Sequence, residues 1–115
     1  MGMKLIEKQR LFTVCLYELF SWVHRQAEGT WTLRMAEGYV GDSAPDSGPH
    51  RKDGGHYKRI AQDLVLDVEG EMIEDGDHPV WQAIGRKWES LHPYCRWGGR
   101  WGDANHFSFE DGGVA

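Results

Sequence analysis

The octet Ala61-Gln62-Asp63-Leu64-Val65-Leu66-Asp67-Val68 restricts the fold more than any other stretch of this chain. Its side chains alternate in character with period two, which predicts a strand with Ala61, Asp63, Val65 and Asp67 on one face. An aspartate facing inward from a half-buried strand is costly unless it is ion-paired or bound to a metal. Ala61, small and on the same face, leaves room for an ion. The rest of the chain must supply the strand's partners.

Phe12, Leu16, Leu19 and Val23 recur at helical spacing, reinforced by Leu11, Cys15 and Phe20, with Glu7, Lys8, Arg10, Glu18 and Arg25 on the other side. The pattern predicts an amphipathic helix over Ile6–Ala27, stopped by Gly29. Thr30–Glu37 alternates loosely and predicts a second strand. Glu69-Gly70 suits a turn into a short strand at Glu71–Ile73. Val80, Trp81, Ile84, Trp88 and Leu91 mark a second helix, with Asp77 as its cap, Pro79 in its first turn and His92-Pro93 as its end. Gly98-Gly99 predicts a loop, and Asn105–Glu110 a last strand. Between the first two strands, Asp42–Gly55 is rich in Gly, Pro, Ser and Asp, and is expected to be a loop that flanks a substrate site as a flap. The expected architecture is α+β: one domain over residues 1–115, a small antiparallel sheet with helices packed on it.

Bulk properties remove several function classes. A formal net charge of -5 and 27% charged residues, with no basic block, argue against a nucleic-acid partner. Tyr17, Glu18 and Ser21 interrupt the apolar run Leu11–Val23, and no small-residue cleavage site follows it, so no signal peptide is expected. No stretch approaches the roughly 20 apolar residues needed to span a membrane. The expectation is a soluble chain made in the cytoplasm. Cys15 and Cys95 form no CxxC pair and are expected to be buried free thiols. Of the six tryptophans, Trp81 and Trp88 fit a core, whereas Trp97 and Trp101, set among glycines, fit a pocket wall.

The chemistry concentrates in a few residues. His56 precedes the central strand, Asp63 lies on it, and His106 lies on the last strand, with Phe107 on the opposite face. Two imidazoles and one carboxylate suit zinc, and three ligands leave one coordination position for water. Asp103, three residues before His106, is close enough to sit beside that water as a base. His50 shares the loop of His56 and competes with it. His24 and His92 are expected to be structural or solvated, and His78 a helix-start residue.

His56, Ala61 and Asp63 reproduce the H-x-x-x-x-A-x-D core of the motif S-x-H-x-x-G-x-A-x-D. In this the chain resembles the D-Ala-D-Ala carboxypeptidase and L-alanyl-D-glutamate peptidase family. That family shares its zinc fold with vancomycin-resistance D,D-dipeptidases and the hedgehog signalling domain. Asp103-Ala104-Asn105-His106-Phe107 is similar to the family's second motif. Trp88-Glu89-Ser90-Leu91, Trp97-Gly98-Gly99 and Asn105-His106-Phe107-Ser108 resemble its short phage-borne members.

The resemblance implies His56, Asp63 and His106 as ligands of Zn2+, which selects His56 over His50, and Asp103 as catalytic base. It further implies substrate contacts at Arg59, Trp97 and Ser108, and a monomer acting on the peptidoglycan stem peptide. An endolysin of this kind is made in the host cytoplasm and reaches the periplasm and cell wall through a holin-type pore. The same fold also serves as a non-catalytic zinc-binding module or as a virion-associated wall-opening protein. The chain departs from the pattern at Gly54, where the motif has serine, and at Arg59, where it has glycine. Val40 stands where relatives carry an oxyanion-stabilising arginine, which leaves Arg34, Arg51 and Arg59 as candidates.

Overall fold

Helix α1 spans Leu5–His24 and buries Phe12, Cys15, Leu19 and Val23, a stripe at the spacing the sequence displays. It ends before the expected Ala27 because Ala27, Glu28 and Gly29 take positive φ values of 45°, 57° and 83°, which no right-handed helix accommodates. Lys8, expected on the solvent side, is instead buried, its ammonium 2.7 Å from Asp111 Oδ1. The computed structural model describes residues 2–36 and 59–115 of the chain.

The strands are β1 (Trp31–Met35), β2 (Ala61–Val68), β3 (Glu71–Met72), β4 (Cys95–Trp97) and β5 (His106–Phe109). They form one antiparallel sheet in the order β1-β2-β5-β4, with β3 also paired to β2. Strand β2 has the boundaries read from the sequence. Glu69 and Gly70, at φ 52° and 82°, make the two-residue turn into β3. Two positive φ values in succession give a hairpin turn whose twist matches that of its strands. Strand β4 is unexpected; at three residues it is too short to show a period.

Helix α2 covers Pro79–Leu91. Its cap is His78, whose Nδ1 accepts the Val80 N–H at 3.1 Å. Asp77, the expected cap, sits one residue too early, and its own N–H donates to Asp75 Oδ1 at 2.9 Å. Trp81, Ile84 and Trp88 of α2 are buried against Leu64 and Leu66 of β2 and Phe107 and Phe109 of β5. Trp88 stands edge-on to Phe12 and Phe107, with centroids 5.7 and 5.9 Å away. Its indole N–H donates to the carbonyls of Arg96 (3.0 Å) and Ser108 (3.3 Å). One side chain thus fills the core and grips β4 and β5; truncating a residue of this kind costs about 3–5 kcal/mol.

The result is an α+β architecture, two helices on a five-stranded antiparallel sheet among the described residues. Leu64 and Leu66 point into the core, so Ala61, Asp63, Val65 and Asp67 line the opposite face. Asp63 therefore faces away from the apolar core, correcting the expectation that it points inward. Cys15 and Cys95 are buried free thiols, as expected. Among the described residues no helix is long and apolar enough to cross a membrane.

Candidate metal centre

Strand pairing makes the site. In the β2–β5 ladder Ala61 lies opposite Ser108, Gln62 opposite Phe107 and Asp63 opposite His106. Opposite residues share a face, so Phe107 enters the core while His106 projects with Asp63 on the other side. His106 Nδ1 is 3.5 Å from Asp63 Oδ1, and the two side chains are 11% and 22% exposed. Two ligand atoms at about 2.0–2.2 Å from one tetrahedral ion lie about 3.3–3.6 Å apart, so this pair fits a zinc edge. Among the described residues no group of three or more His, Cys, Asp and Glu side chains converges. The expected third ligand, His56, lies outside the described residues, as do His50, Arg51 and the Asp42–Gly55 loop.

The loop entering β5 is held from several sides. It begins with a 3-10 turn at Gly98–Trp101. Gly98 O accepts the Asp103 N–H at 2.8 Å, and Asp103 O accepts the His106 N–H at 3.1 Å. Gly98 is buried, and a Cβ there would lie 2.2 Å from Asp103 O and 2.7 Å from His106 Cβ. Only glycine lets these segments approach so closely. From α2, Glu89 accepts the Trp97 N–H at 3.1 Å and the Arg100 Nε–H at 2.8 Å. In the sequence Glu89 stands out only within Trp88-Glu89-Ser90-Leu91, the segment similar to phage-borne members, with no role attached to it. Asp103 is exposed, and its carboxylate has no hydrogen bond or ion pair among the described residues.

The other expected site residues separate clearly. Trp97 and Ser108, expected to touch substrate, are both buried, at 3% and 0% exposure. The Trp97 ring packs where a Cβ on Gly85 or Gly99 would lie, and its N–H donates to Ala104 O at 2.7 Å. The tryptophan that offers surface is Trp101, half-exposed, with its ring centroid 5.8 Å from that of His106. Arg59 is exposed and holds φ at 61°, in the left-handed region that favours glycine. Arg34 is engaged by Asp67, with Nε–Oδ2 at 2.7 Å and Nη2–Oδ1 at 3.2 Å. That pairing holds the Asp67 carboxyl below the usual carboxylate range.

The remaining histidines are structural acceptors. His24 Nε2 accepts the Leu33 N–H at 2.9 Å, tying α1 to β1, and His92 Nδ1 accepts the Tyr94 N–H at 3.0 Å. With His78, the cap of α2, all three have ring nitrogens committed to backbone donors. A scan against models of known protein families finds no match, and a comparison with curated proteins finds none either.

Proposed function

We propose that this chain is a zinc-dependent peptidase that cuts the stem peptide of bacterial peptidoglycan, of the phage endolysin type. The observation that carries the reading is the Asp63–His106 pair, fixed face to face by strand register at a spacing that fits one tetrahedral ion. Arg59 adds support. It occupies the position where the resembled motif carries glycine, and its φ of 61° gives that glycine a physical reason.

In this reading His56, Asp63 and His106 hold the ion, which supplies Lewis-acid polarisation of the scissile carbonyl and an acidified water. Asp103, on the exposed loop before β5, accepts the proton of the attacking water and returns it to the departing amine. Trp101 forms a wall beside His106. The Arg34 guanidinium, bound to Asp67, serves the outer end of β2, which leaves Arg51 and Arg59 as oxyanion donors to test.

The experiment combines elemental analysis with mass spectrometry of muropeptides released from purified peptidoglycan. Wild-type protein should carry a single zinc and release cleaved stem peptides, and the fragment masses identify the bond. Asp103→Ala should keep the zinc and the fold while release stops. Unchanged release in that variant would remove Asp103 from the mechanism, and a wild-type protein with no affinity for zinc would sink the whole reading.

A further inference from the structure

Beside Asp103 the surface opens into a cleft of about 400 Å³. It runs along β2 from Leu64 to Leu66, between β3 and the loop entering β5, with Ile73 on its apolar wall and Glu74 and Asp103 supplying the charge. We propose that this cleft is a substrate subsite for an alkylammonium group, and that Glu74 is the residue that selects it. The proposal rests on the peptidase reading, because Asp103 then places the cleft next to the bond being cut.

The cleft is built rather than incidental. Its far wall, the segment from Ile73 to Gly76, is pinned by two side chains of α2: Trp81 Nε1–H donates to Ile73 O at 3.0 Å, and Gln82 Nε2–H to Gly76 O at 3.2 Å. The two walls meet at one end, where a Cβ on Gly76 would stand 3.1 Å from Ala104 Cβ. A pocket with fixed walls binds without first having to be ordered.

Its chemistry points to one class of group. Among the described residues every charged side chain lining the cleft is acidic. Neither the Glu74 nor the Asp103 carboxylate has an ion pair or hydrogen bond among those residues, whereas Asp67, Glu89, Glu110 and Asp111 are all paired to cations. An anionic ligand end would be repelled here, and a neutral one would leave the carboxylates unanswered. A methylene chain ending in an ammonium matches both parts: the stem lies on the half-buried Ile73, and the head meets Glu74. Such a group is carried by a diamino-acid side chain or by a free peptide N-terminus.

The test uses the zinc-loaded full chain and synthetic stem peptides in four forms, with the side-chain amine and the N-terminal amine each free or acetylated. Acetylating the recognised amine should raise KM about 2–5-fold, the range of an exposed ion pair. Whichever amine produces the effect is the source of the ammonium. In Glu74→Gln the ratio of free to acetylated peptide should fall to near one. Equal handling of all four peptides by the wild-type protein would overturn the proposal, as would a preference that survives Glu74→Gln.

A binding arm keeps the subsite separable from the peptidase reading. Nα-acetyl-lysine methylamide should shift the cleft resonances in an NMR titration with a roughly millimolar Kd, as expected for so few contacts. The Nε-acetylated analogue should not, nor should the lysine probe with Glu74→Gln. Binding without cleavage of any peptide overturns the peptidase reading and leaves the subsite standing. Cleavage indifferent to the amine, with no probe binding, overturns the subsite alone.

Discussion

Gly98→Ala tests the claim that packing under the loop sets the geometry of the proposed metal site. The new Cβ would lie 2.2 Å from Asp103 O and 2.7 Å from His106 Cβ. A carbon and a carbonyl oxygen need about 3.2 Å, so one backbone segment must move by roughly 1 Å. Overpacking of this kind costs about 1–3 kcal/mol. The displaced carbonyl also accepts the His106 N–H, and Gly98 O accepts that of Asp103, so the total should lie near 2–3 kcal/mol. At about 2.1 cal/mol/K of unfolding entropy per residue, 115 residues give about 4 °C per kcal/mol, and Tm should fall by about 8–12 °C. Moving His106 against Asp63 should also weaken zinc binding at least 10-fold, since metal–ligand distances tolerate only about 0.2 Å. Calorimetry and competitive zinc titration measure the two effects. Gly102→Ala is the control: its φ is 86°, but nothing lies within 4 Å of where the added methyl would stand, so it should show only a backbone cost of about 1 kcal/mol. A Gly98→Ala protein with wild-type Tm and zinc affinity would refute the reasoning.

Three further outcomes are expected. Arg59→Gly should relieve about 1–2 kcal/mol of left-handed strain against about 0.4–1 kcal/mol of added unfolded-chain freedom, for a net gain near 0.5–1 kcal/mol; denaturant titration that shows a loss would count against the strain. Asp111→Ala removes the ion-pair partner of the buried Lys8 and should cost about 2–3 kcal/mol, whereas Lys8→Met should cost less because it leaves no buried charge; equal losses would show that the charge is immaterial. Burial pushes the Cys15 and Cys95 thiols above their ordinary 9.0. A folded value above the unfolded one gives stability that is whole below pH 9.0 and is lost as pH rises through the folded value. Thermal midpoints should therefore fall above about pH 9, less steeply in Cys95→Ala, and identical slopes would rule the thiol out.

The sequence made the long periodic elements legible. The octet of β2 and the stripe of α1 announce themselves because eight or more residues repeat one pattern; the core face follows from it for α1, whereas on β2 it is the face of Leu64 and Leu66, not that of Asp63, that meets the core. Strand β4 stayed hidden because its evidence is not local: Cys95, Arg96 and Trp97 are extended because β5 offers them a ladder. Lys8 was misplaced for a related reason, since its partner Asp111 lies at the other end of the chain. In the candidate site, the resemblance names Asp63 and His106 together, and the β2–β5 register sets them opposite each other. It could not show that Trp97 is buried and Trp101 exposed, because both sit among glycines and only packing against Gly85 and Gly99 distinguishes them.

If the proposed zinc site holds, the register that sets Asp63 opposite His106 makes metal loading a reporter of folding fidelity. A slip of one residue between β2 and β5 would turn His106 towards the apolar layer and offer Phe107 to the solvent face. Such a chain could stay compact and keep its helices while losing the ability to take up an ion. These strands are distant in sequence, and non-local pairings of this kind form more slowly than local ones. The fraction of refolded protein that captures zinc would then count the molecules that paired correctly, a distinction that helix content alone cannot draw.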